Sequence, residues 1–162
     1  MAIGTVLVLG ALVALSVTGV FAQAGGDSAA AGKTVFDNNC SACHQASGAG
    51  IPATFPPLAG YVPKFLDKGA EGRTTLMHIV LFGMTGQISA DGQSYNSTMP
   101  TWGKILSDQQ VTDVLNYITT AWGNDKAEPK DFKPFTLDEV KKAAGANMTP
   151  DQTRQERAKL GL

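Results

Sequence analysis

Cys40-Ser41-Ala42-Cys43-His44 is the stretch of this 162-residue chain whose residue types and spacing point to one particular chemistry. Two thiols two residues apart, followed at once by an imidazole, form the attachment pattern of a c-type haem. Reach explains the pattern. On a helical turn the thiols stand far enough apart to add across both vinyl groups of one porphyrin, and the adjacent imidazole then lies under the iron. Two plainer readings compete. An exported pair of cysteines can close a disulfide, and C-x-x-C also serves thioredoxin-like redox centres or half of a zinc site. The redox centre needs a strand–turn–helix in an α/β fold, and no strand pattern precedes Cys40. A zinc site needs further ligands, whereas the chain has no other Cys and only one other His, His78. The expected cofactor is one covalently attached haem c with its iron, bound through Cys40 and Cys43 and ligated by His44.

The iron's sixth position has five candidates: Met77, Met84, Met99, Met148 and His78. A buried Met is ordinarily a gap-filler in the core. Met77 and His78 lie in a strongly helical run, where a side chain does not easily swing into a coordination site, and Met84 ends that run. Met99 sits in Tyr95-Asn96-Ser97-Thr98-Met99-Pro100, read as an irregular stretch that Pro100 holds open just before the last core helix.

Several elements must position these groups. A helix is expected from Gly32 through Cys43, with Val35, Phe36 and Cys40 at helical spacing. Ser47–Gly60 carries three Gly and three Pro in fourteen residues and reads as loop; a loop of that length in a small domain is usually functional or wrapped around something. Thr74–Met84 predicts a helix apolar around too much of its circumference for a surface position. Gln87–Ser89 and Gln93–Tyr95 flank the turn signal Ala90-Asp91-Gly92 and predict a small hairpin. Ser107–Trp122 is the clearest helix, opened by the capping box Ser107/Gln110 and stopped by Gly123. Thr136/Glu139 caps a further helix to Ala144, and Thr149-Pro150-Asp151-Gln152 heads a last one.

Charge narrows the partners. The net charge is −1, no footprint for nucleic acid. From Asp27 to Asp125 there are 5 Lys/Arg against 8 Asp/Glu, a net −3; from Lys126 to Leu162 there are 8 against 6, a net +2. The body is mildly acidic and the tail mildly basic. Ala2–Phe21 holds no charge, and Ala22-Gln23-Ala24 looks like a signal-peptidase site. Residues 1–24 are thus expected to be a signal peptide, with an uncleaved membrane tether through 2–22 as the alternative, since about 20 apolar residues span a bilayer. Either way the rest is expected to be exported, to the periplasm or the outer face of the cytoplasmic membrane. Residues 25–31 read as a linker.

Residues 30–124 resemble class I cytochromes c. Gly32 and Phe36 stand eight and four residues before the first cysteine, as that family's Gly and aromatic do. Val114 and Tyr117 match the apolar residue and aromatic of its last helix. Pro56 lies twelve residues after His44, with Leu58 two further. The resemblance implies an all-α class I fold around one haem, with a small β-hairpin and a helical C-terminal extension: a haem domain over 32–124 and an extension over 125–162. It implies that the Pro56 carbonyl accepts the His44 Nδ1 hydrogen bond and that Met99, in its Met-Pro dipeptide, is the sixth ligand.

Gly50-Ile51-Pro52, Phe55-Pro56-Pro57-Leu58-Ala59-Gly60 and Tyr95-Asn96 also resemble haem domains of dehydrogenase and copper nitrite reductase subunits, and the Thermus-type soluble cytochromes c. The second group shares the tail pattern Phe132-Lys133-Pro134-Phe135-Thr136 and Lys159-Leu160-Gly161-Leu162, and implies a tail wrapped on the haem side. With both axial positions filled by protein, the expected role is electron transfer, not catalysis. The resemblance implies a single-electron carrier between a quinol-oxidising complex and a terminal haem-copper oxidase; the alternative is a haem subunit serving a specific dehydrogenase or reductase. Ala42, Ala46 and Ile51 are expected to form an apolar docking patch, and Arg73, Tyr95 and Trp102 to approach the haem propionates.

Overall fold

A computed structural model describes Met1 and residues 24–162, with side chains from Ser28 onward. The expected signal peptide or tether lies almost wholly outside the described residues. Among those described, no helix is long and apolar enough to cross a membrane.

The frame is a crossing of two helices, α1 (Ala24–Asn39) and α5 (Asp108–Thr120). Gly32 makes it possible: a Cβ there would run into the Asp113 carbonyl and the Tyr117 side chain. Beside this contact Phe36, fully buried, meets Tyr117 and Trp122 in tilted and edge-on aromatic pairs with centroids 5.5 and 5.0 Å apart, a favoured geometry for π-systems. α1 starts earlier than the sequence suggests. Residues 25–31 are its first turns and not a linker: Ala29, Ala30 and Ala31 are strong helix formers, and the Ser28 hydroxyl donates to Asp113 Oδ1 at 2.8 Å. Nor does α1 run through Cys43. It ends at Asn39, and a separate turn, α2 (Ser41–His44), carries the second thiol and the imidazole.

α3 (Val62–Leu66) and α4 (Gly69–Phe82) pack on one another. α4 buries Leu76, Met77, His78, Ile79, Val80, Leu81 and Phe82, as its all-round apolarity requires. It begins five residues before the expected Thr74 and ends two before Met84. The hairpin is longer than the turn signal alone predicts: β1 (Met84–Ala90) and β2 (Gln93–Met99) pair antiparallel from Ala90↔Gln93 back to Met84↔Met99. Met99 therefore ends a strand; it does not lie in irregular chain. The polar run Gln93–Thr98 shows little hydrophobic alternation, so its strand state comes from the partner strand.

The tail folds onto this body. α6 (Leu137–Ala144) packs on α4 and α5, and α7 (Pro150–Lys159) on α4 and β1. Ser107 and Thr136 form the expected capping boxes, and Thr149, expected as a cap, forms a third with Gln152, each hydroxyl accepting from the backbone N–H three residues on. Trp122, expected as the end of α5, instead lies just past it in the left-handed region (φ 57) and donates its indole N–H to the Ala46 carbonyl at 2.9 Å.

Candidate functional site: a haem cavity

Cys40, Cys43, His44 and Met99 converge on one apolar interior. Two adjoining apolar hollows share Cys40, His44, Pro56, Met84, Ile88, Met99 and Trp102 in their walls, and Cys43 borders the second. Phe36, Tyr61, Val62, Phe65, Leu76, Ile79, Val80, Leu106, Val114 and Ile118 line the first hollow, so both crossing helices, α3 and α4 present apolar side chains to it.

α2 is built for its load. Cys43 and His44 both donate their backbone N–H to the Cys40 carbonyl, at 3.2 and 2.9 Å, which folds the motif into a tight turn with its sulfurs toward the cavity. His44 Nδ1 lies 3.0 Å from the Pro56 carbonyl oxygen. A carbonyl only accepts, so Nδ1 carries the proton and Nε2 keeps its lone pair for a metal. Burial pulls the His44 pKa below its ordinary value, partly offset by the Pro56 bond, and that too favours the neutral, ligating ring. Burial and the neighbouring Cys43 push the free Cys40 thiol up to about 12. Such walls suit a neutral thioether, not a thiolate centre. The donor set, the apolar volume and the thiol environment fit a covalently held porphyrin.

The long loop closes the cavity edge. Leu58 and Ala59 donate to the Gly48 carbonyl at 2.7 and 3.0 Å, and Gly50 donates to the His44 carbonyl at 2.9 Å. Buried Asn124 ties the loop to α5: its Oδ1 accepts from Gly60 at 2.7 Å while its Nδ2 donates to Leu58 and Ile118 carbonyls. Ala42, Ala46 and Ile51, the expected docking patch, are all exposed.

Of the three residues expected near the propionates, Tyr95 and Trp102 line the cavity. Arg73 does not. It is drawn to the tail, donating Nε and Nη2 to Glu139 at 3.0 Å each and Nη1 and Nη2 to the Lys133 and Pro134 carbonyls, with its guanidinium 3.9 Å over the Phe135 ring. The cation that does border the cavity is Arg157, 3 % exposed. It donates to Tyr61 Oη and the Ser89 carbonyl at 2.6 Å and to the Leu162 carbonyl. Burial lowers its pKa and Tyr61 partly restores it. No signal in the polar run of α7 distinguishes it from a solvated arginine. His78 is satisfied where it stands, its Nδ1 2.8 Å from Glu156 Oε2.

The cytochrome c family model matches residues 29–122. Cytochrome c-552 of Thermus thermophilus is 48% identical over 123 residues, covering 76% of this chain and 92% of the relative. The gluconate 2-dehydrogenase cytochrome c subunit of Pantoea cypripedii is 36% identical over 125 residues, 75% of this chain but 27% of that subunit. The cbb3-type cytochrome c oxidase subunit CcoP of Azospirillum sp. is 32% identical over 111 residues, 67% of this chain and 33% of the subunit. This chain belongs to the cytochrome c family, with the class I fold. Its cofactor is covalently bound haem c with iron, and it is an electron carrier.

Proposed function

We propose that the protein is an exported monohaem cytochrome c that carries single electrons along a respiratory chain, from a quinol-oxidising complex to a terminal haem-copper oxidase. Cys40 and Cys43 form the two thioethers, His44 Nε2 is the proximal ligand and Met99 the sixth. The observation that carries this reading is the convergence of His44 and Met99 on the same pair of adjoining apolar hollows. Protein ligands on both sides leave no room for substrate, and His/Met ligation raises the potential relative to bis-His. Arg157, a buried guanidinium in the cavity wall, would be the residue to meet a haem carboxylate there. The extent of the c-552 match supports a carrier of that size, against about a quarter of the dehydrogenase subunit.

Residues 1–24 act as a signal peptide or, retained through 2–22, as a tether at the outer face of the cytoplasmic membrane; residues 125–162 form an extension of the haem domain. N-terminal sequencing of the purified protein separates the two. For the main reading, the reduced holoprotein is mixed with membranes containing a haem-copper oxidase. Fast, cyanide-sensitive reoxidation is expected. The second reading, a haem subunit serving one dehydrogenase or reductase, draws on the dehydrogenase-subunit match; it takes over if only such an enzyme exchanges electrons with the protein. Cys40→Ser with Cys43→Ser removes the haem-stained band on denaturing gels; haem extracted from the native protein by acidified organic solvent would overturn covalent attachment.

A further inference from the structure

Met84 and Met99 face one another across the open end of the hairpin. Directly opposed residues project to the same side of a sheet, with Cβ atoms about 4.5–5.5 Å apart. Both border both hollows, together with His44 and Cys40. Met84 is 8% exposed. The chain's other three methionines do not share this position: Met1 is exposed, Met77 is buried in α4 and Met148 packs against the core from the tail, and none borders either hollow.

The backbone holds the pair together. Gly83 adopts φ 69, and a Cβ there would run into the Met99 and Pro100 backbone. Next to it, the Thr101 hydroxyl donates to the Phe82 carbonyl at 3.0 Å. The chain entering β1 and the chain leaving β2 are thereby fixed side by side, whichever sulfur points to the iron. A methionine side chain is unbranched and has three rotatable bonds, so two thioethers rooted that close reach a common point by rotamer change alone.

We propose that Met84 is a second thioether donor for the iron position assigned above to Met99, so that a pair of methionines serves one site. The proposal rests on that assignment. Replacing one sulfur by the other exchanges one neutral lone pair for another, with no change in charge or oxidation state. Among the described residues no other donor stands ready: the two cysteine sulfurs would be committed to the porphyrin, and the imidazole of His78 is held by Glu156. Loss of the Met99 thioether therefore does not open the iron to outside ligands, because Met84 takes its place.

The test uses holoproteins carrying Met84→Leu, Met99→Ala and both changes, with Met99→Leu in parallel to preserve side-chain volume. Two signatures report the sulfur: the weak red iron–sulfur charge-transfer band of the ferric form, and a methionine methyl far upfield in the NMR spectrum of the ferrous form labelled at methionine methyls. Met84→Leu keeps both signatures. Met99→Ala also keeps both, the shifted methyl now belonging to Met84. The double variant loses both and binds carbon monoxide about tenfold or more tightly than Met99→Ala, equivalent to roughly 1.4 kcal/mol of iron–sulfur bonding. A Met99→Ala protein lacking the band and matching the double variant in carbon monoxide affinity overturns the reserve role and leaves the Met99 assignment standing. Loss of the band in Met84→Leu alone overturns the Met99 assignment itself, and so does its survival in the double variant.

Discussion

Asn116 grips the backbone of Phe135 at both ends: its Oδ1 accepts from the Phe135 N–H at 2.7 Å and its Nδ2 donates to the Phe135 carbonyl at 3.0 Å. A side-chain amide here pairs both backbone groups of one residue, as a neighbouring strand would. It fastens the tail to α5, and Phe135, 3% exposed, fills the space beside it. Asn116→Ala strands both backbone groups, which costs about 1–3 kcal/mol for buried polar groups left unpaired. Thermal melting of the holoprotein should shift down accordingly, and proteolysis between Glu128 and Thr136 should quicken. Deleting 132–162 should cost more, since removing a buried aromatic alone costs about 3–5 kcal/mol. An unchanged melting curve after deletion would mean the tail is a solvated appendage.

Arg73 depresses the Glu139 pKa from 4.5 to about 2, and hydrogen bonds from Thr136 add to the effect. A group whose folded pKa is lowered contributes stability above its unfolded value and loses it as pH falls through the folded value. The window here is about pH 4.5 down to 2. The Glu139 side chain is 40% exposed, so solvent screening keeps the contribution small, on the scale of about 1 kcal/mol. Glu139→Gln should lose that contribution of about 1 kcal/mol at neutral pH and flatten the stability–pH slope across the window, so that variant and parent converge near pH 2. Denaturant titrations at several pH values read this directly.

The parts of the site that were legible from sequence are those written in local spacing. Cys40–His44, the Ser107 and Thr136 capping boxes and the Thr149 cap each depend on residues within a turn, while the Pro56 carbonyl and the Gly32/Phe36 pair stand at fixed offsets that the family resemblance made readable. What was illegible depends on the partner. Residues 25–31 become helix because α5 offers Asp113 to Ser28. Gln93–Met99 becomes strand because Met84–Ala90 lies beside it. Arg73 and Arg157 are interchangeable by type, yet Glu139 and Phe135 claim the first for the tail, while Tyr61 and Ser89 bring the second to the cavity. Nothing nearby in sequence separates them.

The α1–α5 crossing should be intolerant at Gly32. An added methyl meets the Asp113 backbone and Tyr117 Cβ, not the yielding end of a long side chain. The helices must part, loosening the Phe36, Tyr117 and Trp122 contacts behind them. Overpacking of this kind costs about 1–3 kcal/mol, despite the higher helix propensity of alanine. Gly32→Ala should lower the melting temperature while leaving the iron–sulfur band intact, because the ligands hang from α2 and β2. Ala31→Gly, at an exposed neighbour, should cost only its propensity difference, about 1 kcal/mol.

Arg157 offers the most direct test of how the tail reaches the chemistry. Its positive charge lies in the cavity wall and is almost wholly shielded from water. Ferric haem carries one more positive charge than ferrous haem, so a nearby cation favours the reduced state and raises the potential. At a separation of about 10 Å and an effective dielectric of about 20, two unit charges interact by roughly 1.7 kcal/mol. For a one-electron couple, where 59 mV is a factor of ten, that is on the order of 70 mV, reduced where a haem carboxylate already neutralises the arginine. Arg157→Gln should lower the potential by some tens of millivolts on this reasoning. Arg157→Lys, keeping charge but not the forked donors to Tyr61 and Ser89, should restore most of the potential and little of the stability. Redox titration and thermal melting of the same two proteins separate the roles. A potential unmoved in Arg157→Gln, with the melting temperature reduced, would make the arginine a purely structural link between α7, Tyr61 and β1.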